Sequence, residues 1–158
     1  MLVIRRATPA DVSGCVAIVR DSPDFFTSDV PGKVGADLEI HPAWVATTDD
    51  DLAGFAIVDR RAARGAEVLW MAVTASRRGG GVGTLLLEHV FRDLAESGVQ
   101  VVEVKTQDAS AGYEPYVATR AFWERRGFVH LDTIDPLPGW PPGNPAAIYV
   151  AALAATHR

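Results

Sequence analysis

The residues that most clearly could do chemistry form one short run, Arg77-Arg78-Gly79-Gly80-Gly81-Val82-Gly83-Thr84. Side chains are nearly absent from it, so backbone N–H groups can converge where a helix begins, and that arrangement binds anions. Two common phosphate loops are excluded by spacing. A P-loop ends in Gly-Lys-Ser/Thr, whereas Gly83 is followed by Thr84 and Leu85. A dinucleotide fingerprint needs G-x-G-x-x-G, and counting from Gly79 puts Thr84 at the last glycine. The pattern that remains is R-x-x-G-x-G, carried by Arg78, Gly81 and Gly83.

The neighbouring elements must hold this loop. Val68 to Val73 is an unbroken apolar run, which predicts a strand buried on both faces. From Val82 the period changes. Val82, Leu86 and Val90 form one ridge, with Leu87, Phe91 and Leu94 beside it, and Gly98 stops the resulting amphipathic helix. A second helix runs from Tyr116 to Arg126 and ends at Gly127-Phe128, with Arg125 and Arg126 placed to favour the helix dipole.

The remaining elements follow in order. Leu2 to Arg6 reads as a strand, and Thr8 and Pro9 open a helix that continues to about Arg20. Asp21 to Pro42 is punctuated by proline and glycine, leaves Phe25 and Phe26 without an evident partner, and allows a short helix over Lys33 to Ile40. Trp44 to Thr48 and Leu52 to Arg60 are strands joined by Asp49-Asp50-Asp51, whose side chains diverge as a solvated turn does and not as metal ligands do. Val99 to Thr106 follows a strand and a helix, so it should lie parallel to its predecessor. Phe128 to Ile134 and Ala147 to Leu153 complete the strands, around a stiff Pro/Gly connection that lies inside the domain.

With 158 residues the chain reads as a single domain, 1–158, large enough to bury a core without disulfides. The lone cysteine, Cys15, fits a reducing compartment. The first residues are too short an apolar run for a signal peptide, and no run approaches the roughly 20 apolar residues of a membrane span. A soluble cytoplasmic protein is therefore expected. A formal charge of −5 and a pI near 5.3 argue against a nucleic-acid surface.

From about Trp44 to Phe128 the chain resembles the GNAT superfamily of acyl-CoA-dependent N-acyltransferases, on the strength of R-x-x-G-x-G after a strand and a later helix ending in Gly127-Phe128. The resemblance implies a mixed α/β fold: a central, mostly antiparallel sheet of about seven strands flanked by helices, in which parallel strands 4 and 5 splay apart. It implies acetyl-CoA as cofactor. Residues 78 to 84 would wrap the coenzyme's pyrophosphate, and the backbone of Met71, Ala72 and Val73 would hold the pantetheine arm. The acceptor would be a primary amine on a small molecule or peptide, and homodimer formation is left open. Some members carry a glutamate at the place of Glu67 as the base. Strand alternation would put Glu67 on one face with Leu69, Met71 and Val73, the apolar setting that a base working near neutrality needs.

The chain departs from the family at its leaving-group acid. Many members place a tyrosine four residues before the helix-ending glycine, and here that position is Trp123, whose indole is no ordinary acid. Trp123 is expected to pack against the cofactor's sulfur end, with Tyr116 or Tyr113 as the substitute acid. A thiolate leaves acceptably unaided, since an unperturbed thiol has a pKa of about 8.5. Tyr116 also stands where the family usually has an asparagine. His41, His89, His130 and His157 show no metal-ligand spacing. The alternative to an enzyme is a degenerate domain that binds acyl-CoA as a sensor or assembly partner.

Overall fold

The computed structural model describes residues 1–154, which leaves His157 outside the described residues. The elements are β1 (Leu2–Arg6), α1 (Val12–Arg20, entered through a 3-10 turn at Pro9–Asp11), α2 (Val30–Ile40), β2 (Ala43–Thr48), β3 (Asp51–Asp59), β4 (Gly65–Val73), α3 (Val82–Glu96), β5 (Val101–Gln107), α4 (Tyr116–Arg125), β6 (Val129–Ile134) and β7 (Ala146–Ala152). One seven-stranded sheet has the order β1-β2-β3-β4-β5-β7-β6. Every neighbouring pair is antiparallel except β4 and β5. That is the mixed sheet expected from the sequence, with α3 as the crossover between the parallel strands.

The sheet separates two cores. On one face α3 buries the stripe read from its period, Val82, Leu86, Leu87, Val90 and Leu94, against β2 to β5, with Trp123 and Phe128 completing the layer. On the other face α1 and α2 set Cys15, Val19 and Val34 against Val45, Phe55 and Ile57. Leu86 and Leu87 are almost fully buried, and removing either would cost about 2–5 kcal/mol. Trp44 Nε1 donates to Asp93 Oδ2 at 2.7 Å, tying β2 to α3 through a buried ring.

Two irregularities of β4 shape everything that follows. Against β3 the register shifts between Ile57, opposite Trp70, and Val58, opposite Val68, so Leu69 is an extra residue. Against β5 the pairing runs from Gly65↔Val101 to Val68↔Val104 and then stops. Beyond that point β5 stays paired with β7 as far as Gln107, while β4 continues to Val73 without it. The two parallel strands therefore part into a wedge.

The bulge corrects one expectation. Simple alternation puts Glu67, Met71 and Val73 on one face. With Leu69 inserted, Met71 and Val73 pack with Val68 against the α3 layer, whereas Leu69, Trp70 and Ala72 belong to the α1/α2 layer. Glu67 alternates with Val68 and so lies on the α1/α2 side. A two-residue period cannot be carried through a bulge that the sequence does not announce.

Candidate active site

The glycine loop follows from the end of β4 that borders the wide end of the wedge. Gly79 and Gly81 have φ of 79° and 87°, a region that only glycine enters freely. Gly81 is the N-cap of α3 and makes no side-chain cap. The first N–H groups of the helix, on Val82, Gly83 and Thr84, thus keep the orphan donors of a helix start. Gly83 has a different role. A Cβ there would lie 3.1 Å from the Phe122 ring and 3.6 Å from Met71 Cε, so its bare backbone lets α3 approach α4 and β4. Open clefts of about 400 Å³, beside Arg77 and Arg78, and about 430 Å³, beside Thr84, Arg125 and Arg126, flank the loop on its β1 and α4 sides. Neither coincides with the wedge.

Arg78 faces inward. Its Nε donates to the Val73 carbonyl at 3.3 Å, its Nη2 donates to Ser22 Oγ at 2.8 Å, and its guanidinium lies 4.9 Å from the centre of the Phe25 ring. The end of β4 is thereby tied to the loop between α1 and α2. The start of α4 holds the same loop. Tyr113 Oη donates to the Asp24 carbonyl at 2.7 Å, and Tyr116 Oη donates to the Phe25 carbonyl. Phe25 and Tyr116 meet edge to face at 5.7 Å, and Phe26 meets Trp70 at 6.4 Å. The two phenylalanines that lacked partners in the sequence are the anchors of a strap linking the end of β4 to the start of α4.

Glu67 is buried, 5% exposed, but its surroundings are not apolar. Arg61 Nη1 donates to Oε1 at 2.8 Å, and Lys105 Nζ lies 3.2 and 3.1 Å from the two oxygens. Lys105 also lies 3.4 Å from Glu103. Farther along this face Asp37 accepts from Trp70 Nε1 at 2.7 Å, and His41 lies between Asp37 and Asp59 at 4.0 and 3.7 Å. The α1/α2 side of the sheet therefore carries a belt of paired charges at the narrow end of the wedge.

Trp123 lies in the core, its ring 5.1 Å from those of both Phe122 and Phe128. Tyr116 is committed to Phe25, and burial pushes its hydroxyl up to about 12. Arg126 covers the Phe122 face at 4.0 Å and donates to Thr84 Oγ1 at the first turn of α3. Next to the wedge, Thr106 Oγ1 and Gln107 Oε1 are buried with no hydrogen-bond partner, while Gln107 Nε2 donates to Asn144 on the β6–β7 connection at 2.6 Å.

A family model described as "Acetyltransferase (GNAT) domain" matches residues 39–130, more than half of the chain. The chain belongs to the GNAT acetyltransferase family. No curated protein matches it. Among solved structures, a GNAT-family protein from Desulfovibrio desulfuricans is 25% identical, with a TM-score of 0.85 over 98% of this chain and 100% of that one. The ribosomal-protein-S18-alanine N-acetyltransferase of Escherichia coli, at 20% identity, superimposes with a TM-score of 0.80 over 100% and 97% of the two chains. An aminoglycoside 6′-N-acetyltransferase complexed with coenzyme A, at 19% identity, gives 0.77 over 99% of each. The last two show the fold alone.

This GNAT chain brings together what the sequence had proposed at separate places: the loop from Arg78 to Thr84, the end of β4 at Met71, Ala72 and Val73, and the start of α4. It also adds residues that sequence reading passed over. Arg61 and Lys105 had no signal, since their partner lies on another strand. Thr106 looked like the ordinary end of an alternating strand, and Gln107 lay just beyond it without a reading. No group of three or more His, Cys, Asp or Glu suited to a metal occurs among the described residues, and no described helix is long and apolar enough to cross a membrane.

Proposed function

We propose that this protein is an acetyl-CoA-dependent N-acetyltransferase acting on a primary amine. The observation that carries the reading is the parting of β4 from β5 after Val68↔Val104, beside a glycine-lined helix start. Coenzyme A needs a cradle for a diphosphate and a slot for a linear arm bearing amides. The first suits the N–H groups of residues 82–84, and the second suits the unpaired edges of β4 and β5. The unpartnered polar atoms of Thr106 and Gln107, on the stretch of β5 that β4 has left, are of the kind a ligand would satisfy.

Acetyl-CoA supplies an activated thioester carbonyl when bound. The chain does the rest. Along the edge of β4 that faces the slot, the alternate backbone N–H groups of Met71 and Val73 stand as donors for the arm or for a developing oxyanion, while Ala72 pairs with Phe55 on β3. The strap from Ser22 to Phe26 forms one wall for the acceptor, held by Arg78, Tyr113 and Tyr116. Glu67 is the carboxylate on the acceptor side. Lys105 Nζ is itself a primary ammonium resting on it, and it marks where an acceptor amine would hand over a proton, directly or through water. Tyr116 serves as a tether. A phenol near 12 is a poor proton donor to a thiolate whose conjugate acid lies about three units lower.

Trp123, which lacks the family's acidic hydroxyl, favours a second reading in which the protein binds acyl-CoA without turnover. Thiol release from acetyl-CoA, followed across polyamines, aminoglycosides, amino acids and peptide N-termini, separates the two. Release with at least one amine class supports transfer. Stabilisation by coenzyme A without release from any class supports the binding module.

A further inference from the structure

Four buried side-chain polar atoms lack a partner among the described residues: Thr48 Oγ1, Thr106 Oγ1, Gln107 Oε1 and Arg126 Nε. Two are adjacent in sequence, in the part of β5 that β4 has left. A buried hydroxyl left unmet carries its full desolvation penalty, so it calls for a partner. Both atoms lie beyond the last β4–β5 pair, where a ligand between the parted strands would supply the missing partner.

Thr106 has a definite orientation. β5 keeps an unbroken register with β7 from Val101 to Gln107, so its side chains alternate without interruption. Val102 and Val104 belong to the α3/α4 layer together with Trp123. Thr106 shares their face and is 5% exposed. Gln107 points to the acceptor face. The side chain of Thr106 therefore lies on the side of the sheet where α4 carries Trp123.

We propose that Thr106 supplies the hydrogen bond to sulfur that Trp123 cannot, its Oγ1–H donating to the thiolate of coenzyme A. The proposal rests on the transferase reading above. In the transfer, the amine nitrogen forms the C–N bond, and the C–S bond breaks with its electron pair leaving on sulfur. The surplus amine proton passes to the acceptor-side carboxylate or water, and Thr106 keeps its own proton throughout. A threonine hydroxyl is too weak an acid to be deprotonated here. It acts by stabilising the sulfur anion, which a charge-assisted O–H···S contact in a dry site does well. Thr106 would thus touch the reacting sulfur of the cofactor.

The test needs no acceptor amine. Wild type, Thr106→Val and Thr106→Ser are each loaded with coenzyme A, and the bound thiol is titrated by its ultraviolet thiolate absorbance. Cys15, the chain's one cysteine, stays silent in that window because burial pushes its thiol up to about 12. The wild type should hold the bound thiol below its free value. Thr106→Val should shift the midpoint upward by about one unit, a roughly tenfold loss of thiolate below that midpoint. Thr106→Ser should restore it. Identical titrations in all three proteins, each with its melting temperature raised by coenzyme A, would overturn the proposal and leave the transferase reading standing. A wild type not stabilised by coenzyme A would overturn both.

Discussion

The hydroxyl of Tyr116, at the first residue of α4, donates to the carbonyl of Phe25 in the loop between α1 and α2. A side chain that sequence reading offered as a catalytic acid is thereby engaged across 91 residues of chain in holding the α1–α2 loop. Tyr113 does the same for Asp24. The strap is fixed from the α4 side by two phenols and from the β4 side by one arginine. The end of β4, the α1–α2 loop and the start of α4 are consequently parts of one construction.

Tyr116→Phe keeps the ring against Phe25 and removes only the donor. Stability should fall by about 1–2 kcal/mol because the Phe25 carbonyl loses its partner, as urea unfolding would show. Coenzyme affinity should change less than about twofold, a few tenths of a kcal/mol, while KM for the amine rises. A loss confined to kcat, with KM unchanged, would return Tyr116 to the role of acid.

Arg78→Ala removes contacts to Val73, Ser22 and the Phe25 ring together. Amide hydrogen exchange should speed up over residues 21–29, since opening of the strap no longer breaks those contacts. Arg78→Lys should recover little, because an ammonium cannot reach two acceptors while stacking on a ring. Unchanged exchange in Arg78→Ala would show that the tyrosines suffice.

Much of this was legible before any coordinates, for an identifiable reason. The helix period from Val82 to Leu94 and the apolar run of β4 are local signals, and both reappear as elements and as one side of the core. The glycine loop was legible because glycine is specific about backbone geometry. What stayed hidden was non-local. The bulge at Leu69 arises from the pairing of β4 with β3, and it moved Glu67 to the opposite face from Met71. The partners of Glu67, Arg61 and Lys105, flank it from a turn and a neighbouring strand. Trp123 shows a type of residue and not its neighbours, so a string of letters cannot distinguish a ring against a cofactor from a ring against Phe128.

Gly81 and Gly83 should respond differently to glutamate. At Gly81 nothing lies within 4 Å of a new Cβ, so Gly81→Glu chiefly places a carboxylate and about 1–2 kcal/mol of left-handed strain at the anion cradle. At Gly83 the new side chain meets Phe122, so Gly83→Glu should also lower the melting temperature of the free protein well below that of Gly81→Glu. Thermal unfolding with and without coenzyme A reads both effects. The coenzyme-induced shift should vanish in each variant, and a shift surviving in Gly81→Glu would remove the diphosphate from this loop.

Acid stability has a local contributor away from the site. Asp11 accepts from Arg5 Nη1 and Nη2 at 2.8 and 2.9 Å, and those bonds hold its carboxyl down at about 2. A carboxyl lowered in the folded state stabilises above its unfolded pKa of about 4 and loses that contribution as pH falls toward about 2. Arg5 is partly solvated, so the contribution is modest, about 1 kcal/mol. Asp11→Asn should unfold less steeply with pH than wild type between about pH 4 and 2, and the two stability curves should converge at the acid end. Parallel curves across that range would show that the pair is thermodynamically idle.

Glu67 and Lys105 carry the sharpest test of the acceptor side. Glu67→Gln preserves shape and removes the charge, which leaves Arg61 and Lys105 facing an amide. If Glu67 takes the amine proton, kcat should fall by about a hundredfold or more while coenzyme affinity is retained. The fold should lose about 1–2 kcal/mol, less than for a fully buried pair, because Arg61 is about half exposed. Lys105→Met separates chemistry from packing. It frees the place that the lysine ammonium occupies against Glu67 and leaves Arg61 as counter-ion. The amine's KM should then fall and kcat should hold, because an incoming primary amine no longer displaces a resident one. A Glu67→Gln enzyme that is destabilised yet turns over at the wild-type rate would make the ion pair structural and send the search for the base to Glu103, which lies 3.4 Å from the same lysine.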